Sequence, residues 1–216
     1  MPVKILEAED ADMKRVFECA ALAFDRNEPF FDIIYPKHWL DTGRTQGGER
    51  MCQIKNSDPH TTFLKAVDEE SGVIMGMAKW NVYAHNTLPD LSAVQYRENL
   101  WDSDDGMAYA STLVNVFLKE RNAAIRQSGG NLVSLDILAI DPKYQRRGVG
   151  DALVKWGTGK ADELGVQAVV ESSVFGKGLY EKNGFVFIKD VKVEAPEPWL
   201  GRDAGQFAWL IRPKKS

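Results

Sequence analysis

The stretch from Leu132 to Gly165 constrains this chain more than any other. Leu132 to Ile140 is a nearly continuous apolar run closed by Asp141-Pro142. Then come Gln145-Arg146-Arg147-Gly148-Val149-Gly150 and a segment of helical character from about Gly148 to Leu164, stopped by Gly165. An apolar run of that kind predicts a central strand covered on both faces. A strand that hands over to a glycine-started helix restricts the chain to an α/β arrangement. It also builds a cradle: glycine permits positive φ and close approach of a ligand to the backbone. A helix start leaves unpaired N–H groups and partial positive charge. Together they suit an anion, and a pyrophosphate fits the spacing, with Arg146 and Arg147 adding charge. The same glycines would also serve a tight turn with no ligand. The pattern is neither G-x-x-x-x-G-K-[ST] nor G-x-G-x-x-G, which sets aside P-loop and Rossmann sites.

The rest of the chain alternates strands and helices. Val3–Leu6 reads as a short strand, and Ala8–Phe24 as a helix whose apolar positions fall at three- and four-residue spacing. Asn27–Pro36 is aromatic-rich and lies between prolines, so it reads as non-helical. Leu40–Lys55 reads as a second helix despite Gly43, Gly47 and Gly48. Thr61–Asp68 and Val73–Val82 form a hairpin around Asp68-Glu69-Glu70-Ser71-Gly72. Ala84–Gly106 is polar and irregular, and Ala108–Gln127 reads as one helix ended by Gly129-Gly130. Ala168–Ser172, Phe185–Val193 and Gln206–Arg212 supply the last strands, with a helical turn at Leu179–Lys182.

Composition bounds the function. The 216 residues carry a net charge of −4, 44% hydrophobic and 10% aromatic residues. That suffices for a core, argues against wholesale disorder and leaves no basic excess for a dedicated nucleic-acid binder. Cys19 and Cys52 form neither a disulfide framework nor a C-x-x-C pair. His38, His60 and His85 lack ligand spacing, so no metal site is expected. No apolar run approaches the ~20 residues of a membrane span, and the first residues lack a signal-peptide core. The expectation is a single cytoplasmic domain over residues 1–216, monomeric or homodimeric, with neither nucleic-acid nor membrane partners.

The segment around Gln145-x-x-Gly148-x-Gly150 resembles motif A of the GNAT superfamily of acetyl-CoA-dependent N-acetyltransferases. Leu179-Tyr180-Glu181-Lys182-Asn183-Gly184-Phe185 resembles motif B of the same superfamily. The resemblance is clearest over residues 132–187, and the layout is most similar to fungal small-molecule members. It implies a mixed, mostly antiparallel sheet flanked by helices, with a splayed central strand pair, 132–140 and 168–172. Acetyl-CoA would lie in that splay as cosubstrate, its pantetheine bonded to the backbone of Leu138, Ala139 and Ile140. Its pyrophosphate would meet the residues from Gln145 through Arg146, Arg147, Gly148, Val149 and Gly150 to Asp151, with Ser172 and Tyr180 nearby. Asp151 departs from the small or hydroxyl residue common there, so its carboxylate must turn away or accept bonds at the helix start.

The resemblance implies direct transfer to a primary amine of a small molecule. Tyr180 is then the expected general acid for the leaving thiolate. Asp136, an acid inside an apolar strand, must find a partner, water or a ligand, because burying it alone is costly. It is either a base whose pKa burial raises, alone or through water, or a carboxylate bonded to neighbouring backbone. Phe30, Phe31, Tyr35 and Trp39 are expected at the acceptor site. Trp80, like Trp101, reads as either pocket or core. The alternatives are a protein or peptide N-acetyltransferase and a non-catalytic acyl-CoA-binding module.

Overall fold

The apolar run at 132–140 forms the middle strand of a seven-stranded sheet, as its lack of polar alternation requires. The computed structural model describes residues 2–97 and 100–215. Its strands are β1 (Val3–Glu7), β2 (Thr61–Asp68), β3 (Ile74–Tyr83), β4 (Leu132–Ile140), β5 (Gln167–Ser172), β6 (Val186–Glu194) and β7 (Asp203–Arg212). Their order is β1-β2-β3-β4-β5-β7-β6. Only β4 and β5 pair in parallel; every other neighbouring pair is antiparallel. The fold is thus the mixed, mostly antiparallel α/β sheet that the sequence implies.

Two layers of helices cover this sheet. Helix α6 (Val149–Leu164) crosses from β4 to β5 and buries Val149, Leu153, Val154 and Ala161 against Leu64, Trp80, Val133 and Leu135. Each such side chain contributes roughly 1–3 kcal/mol on burial. The other face packs against α1 (Met13–Phe24), α2 (Pro29–Ile34), α3 (Asp41–Ser57), α4 (Asp104–Phe117) and α5 (Lys119–Gln127). Short α7 (Lys177–Lys182) follows β5. Among the described residues no helix is long and apolar enough to cross a membrane.

Three local expectations change. The aromatic run after α1 does form a short helix, α2, because Pro29 at its first turn needs no N–H partner. The single helix expected over 108–127 is two. Helix α4 starts earlier, capped by the Ser103 hydroxyl accepting from the Gly106 N–H at 3.1 Å. It ends at Leu118, where ψ opens to 0°, and α5 sets off from there.

Two irregularities in β4 shape everything near it. Its ladder with β5 runs from Leu132–Gln167 to Leu135–Val170 and stops, while pairing to β3 continues to Ile140–Gly76. The β5-facing edge of residues 136–140 is left open, which is the splay. On the β3 side, Trp80 pairs with Leu135 and Lys79 with Ile137, so Asp136 is the extra residue of a β-bulge. The alternation of faces slips there. Leu135, Leu138 and Ile140 pack toward α6, whereas Ile137 and Ala139 join the opposite core.

Candidate active site

The N-terminus of α6 sits beyond the open edge of β4. Gly148 is its N-cap at φ 85°, and a Cβ there would meet nothing within 4 Å. Arg146 also takes a positive φ, 61°. The first intrahelical bond is from the Ala152 N–H to the Gly148 carbonyl at 3.1 Å, so the N–H groups before it face outward without a helical acceptor. Asp151 is turned aside. Its carboxylate accepts from Lys155 Nζ at 2.8 Å and Asn183 Nδ2 at 3.0 Å, and these bonds hold its pKa below the usual carboxylate range. This charge therefore sits on the helix flank, tied to the segment around Tyr180. Gln145 also serves the scaffold: its Nε2 donates to the Ile140 carbonyl at 3.1 Å.

A cavity of about 550 Å³ opens on the other side of β4. Its floor is Leu135 to Leu138 with Val170 and Glu171, and its walls include Phe30, Phe31, Tyr35, Tyr96, Phe117 and Phe207. The wall is built by stacking. Phe30 lies 3.9 Å from Phe117, which meets Phe207 at 4.8 Å. The buried Arg50 guanidinium lies over Tyr35 and Tyr96, at 4.8 and 4.2 Å, and donates to the Ile34 carbonyl.

Tyr180 reaches the same cavity. Its ring is buried against Phe185 and the Gly176 backbone. Its hydroxyl has no hydrogen-bond partner among the described residues, and burial pushes its pKa well above the ordinary phenol value. It is held as a protonated donor. Ser172 is buried, with its hydroxyl donating to the Ser173 carbonyl at 2.7 Å.

A charged cluster, only half visible in the sequence, lines the same cavity. Arg121 of α5 donates through Nη1 to Asp136 at 2.6 Å and through Nη2 to Glu171 at 2.5 Å. Its Nε adds bonds to both Glu171 oxygens, at 3.1 and 3.2 Å. Lys79 of β3 donates to the other Asp136 oxygen at 2.5 Å. Burial works to raise the Asp136 carboxyl, but Lys79 and Arg121 overcome it and hold the group far below the usual range. The expected upward shift is thus reversed, because a bulge delivers the side chain to two cations. Glu171 goes the other way: burial pushes it up, against the pull of Arg121. Lys79, Arg121 and Glu171 were missed. The available signal was Glu171 inside Ala168-Val169-Val170-Glu171-Ser172, a second acid in an apolar strand.

The aromatic candidates separate. Phe30, Phe31 and Tyr35 line the cavity. Trp39 does not; it is 37% exposed and lies under Arg26 at 4.7 Å. Trp80 is no pocket residue either. It is fully buried beneath α6, on the far face of the sheet, with Nε1 donating to the Leu153 carbonyl at 3.3 Å. Trp101 stacks on Tyr96 and donates to the Ile33 carbonyl.

Residues 115–197 match the family described as acetyltransferase (GNAT) domain. An uncharacterized N-acetyltransferase, YafP of Escherichia coli strain K12, is 37% identical over 66 residues, 31% of this chain and 41% of that protein. The match therefore spans less than half the length of the curated relative. Among solved structures, the mosquito arylalkylamine N-acetyltransferase-like 5b superposes with a TM-score of 0.66 at 16% identity, covering 98% of this chain and 100% of that one. A GNAT superfamily phosphinothricin acetyltransferase from Sinorhizobium meliloti, in complex with AcCoA, gives 0.56 at 16% identity, covering 99% and 89%. At such identities the likeness is one of fold.

Proposed function

We propose that the chain, whose residues 115–197 match the acetyltransferase (GNAT) family, is an acetyl-CoA-dependent N-acetyltransferase acting on a primary amine of a small molecule. One observation carries the reading. The open edge of β4 runs from the glycine-started end of α6 to an aromatic cavity in which the Tyr180 hydroxyl has no partner among the described residues.

The residues fit this cosubstrate. The outward N–H groups from Arg146 to Gly150 bind its pyrophosphate, and Gly148 leaves the approach open. The open, β5-facing edge along Leu138, Ala139 and Ile140 orients the pantetheine as an added strand would. When bound, acetyl-CoA supplies an activated acyl thioester. Backbone N–H groups of β4 stabilise the developing oxyanion. Tyr180, protonated at neutral pH, donates its proton to the departing thiolate sulfur. Asp136 is a poor proton acceptor while Lys79 and Arg121 hold it ionised, so the amine proton leaves through water. The phenyl and phenol walls accept an amine with an apolar body.

Thermal unfolding with acetyl-CoA, using NADH and ATP as controls, tests the reading. Ligand at 100 times its Kd stabilises the fold by about 2.7 kcal/mol. A rise with acetyl-CoA alone, followed by thiol release on adding an amine from a panel, supports it. No rise at millimolar acetyl-CoA removes the site assignment.

A further inference from the structure

The last ladder pair between the parting strands is Leu135–Val170, and both side chains face α6. The next residue on each strand is acidic, Asp136 on β4 and Glu171 on β5. Both carboxylates turn to the opposite face, side by side, at the point where main-chain bonding ends. Two carboxylates so placed repel, and nothing in the backbone holds the strands at a fixed distance beyond them. Arg121 lies across this gap with 4% of its side chain exposed. One edge of the guanidinium holds Glu171 through Nε and Nη2, and Nη1 holds Asp136. A planar fork with fixed donor directions can span two acceptors in this way; a lysine ammonium is a point charge and cannot.

We propose that Arg121 is a positioning residue: it brackets Asp136 and Glu171 at the vertex of the splay and sets the width of the gap between β4 and β5. The bracket takes over from the ladder where the ladder stops. Lys79 on the second Asp136 oxygen balances the charge, two cations against two anions. The consequence for acetyl-CoA, which would occupy that gap, rests on the acetyltransferase reading; the bracket itself does not.

Removing Arg121 has a chemical signature besides a loss of stability. Around the carboxylate pair stand Lys79 and Tyr83 of β3, Arg121 of α5 and, against Tyr83, Asp58. Without Arg121, Lys79 keeps Asp136 ionised, and Glu171 is left buried beside a like charge. Its pKa then climbs further, and its protonation relieves the repulsion that widens the gap.

The experiment uses Arg121→Met and Arg121→Lys, with Arg121→Met/Glu171→Gln as a variant that removes the buried charge together with its partner and so keeps its fold. Amide hydrogen exchange reads the gap without any ligand. At pH 8, residues 136–140 and 171–172 exchange about tenfold faster in Arg121→Met and Arg121→Lys, and at a rate between these and wild type in the double variant, while Leu153 and Val154 of α6 keep wild-type rates. Acetyl-CoA titrations read the consequence. Arg121→Met binds about tenfold more weakly near pH 8 and regains affinity as pH falls and Glu171 gains its proton. Arg121→Lys is about as weak but flat with pH, because it restores charge without the fork. The double variant is also flat. Exchange raised equally in β4 and α6, or unchanged in both, overturns the bracket. So does a pH limb that persists without Glu171. A wild-type protein that fails to bind acetyl-CoA, with the local exchange pattern intact, refutes the acetyltransferase reading and leaves the bracket standing.

Discussion

Gly157→Ala gives a sharp test of how α6 seats on the sheet. Gly157 is buried in the middle of α6, and a Cβ built there lies 2.3 Å from Cε2 and Cζ2 of Trp80 and 2.5 Å from Cδ2. Ordinary contact starts near 3.4 Å, so the overlap is about an ångström against a rigid indole. Trp80 cannot give way easily: it is fully buried and its Nε1 is bonded to the Leu153 carbonyl. Overpacking of this kind costs roughly 1–3 kcal/mol. Gly→Ala inside a helix gives back about 1 kcal/mol of propensity. The expected net is a destabilisation of up to about 2 kcal/mol, read as a lower urea midpoint at unchanged m-value. Trp80→Phe removes the atoms that collide and by itself costs a few kcal/mol as a core truncation. In the Trp80→Phe background, Gly157→Ala should become neutral or stabilising, a coupling of about 1 kcal/mol or more. Additive effects, or a stabilised Gly157→Ala single variant, would refute the placement of Trp80 under α6. Trp80→Phe should leave the KM for an amine acceptor within about twofold, since the ring lies on the far face of β4.

Other consequences are open to measurement. Tyr180→Phe should cut kcat about 100-fold with little change in KM for acetyl-CoA, because only proton donation is lost; thiol-release kinetics check this. Gly148→Val adds a side chain to a φ of 85°, costing about 1–2 kcal/mol, and fills the open approach to the α6 N–H groups. Acetyl-CoA affinity by calorimetry should fall at least about tenfold. The carboxyl of Asp141 is desolvated, yet its bond from Arg15 at 2.5 Å and that from the Lys143 N–H hold its pKa down. Its stabilisation is complete above the unfolded value near 3.9 and lost as pH falls through the lower folded value. Asp141→Asn should therefore show a shallower loss of stability below about pH 4 in acid titrations followed by circular dichroism.

Much of this molecule was written in local sequence. Leu132–Ile140 lacks polar alternation, so it had to be covered on both faces, and it became β4 at the centre of the sheet. Gly148 and Gly150 marked the start of α6, and Pro142 the end of the strand, because those residues restrict backbone conformation within one or two positions. The split of α4 from α5 at Leu118 was not legible, since no breaker residue stands there.

What tertiary structure decided concerns partners distant in the chain. Asp136 was visible as an acid in an apolar strand, but its protonation behaviour belongs to Lys79, 57 residues earlier, and Arg121, 15 residues earlier. The bulge that points it there arises from register with β3. Trp80 was equally ambiguous. Strand periodicity says that neighbours alternate faces, not which face carries α6 and which the cavity. The sequence determined which segments are strands, which turn is glycine-built and where acids interrupt apolar runs, because those depend on residues within a few positions of one another. The pairing of Asp136 with Glu171 across the splay, and the guanidinium that joins them, exist only once the β4–β5 ladder stops at Leu135–Val170 and α5 folds over its end.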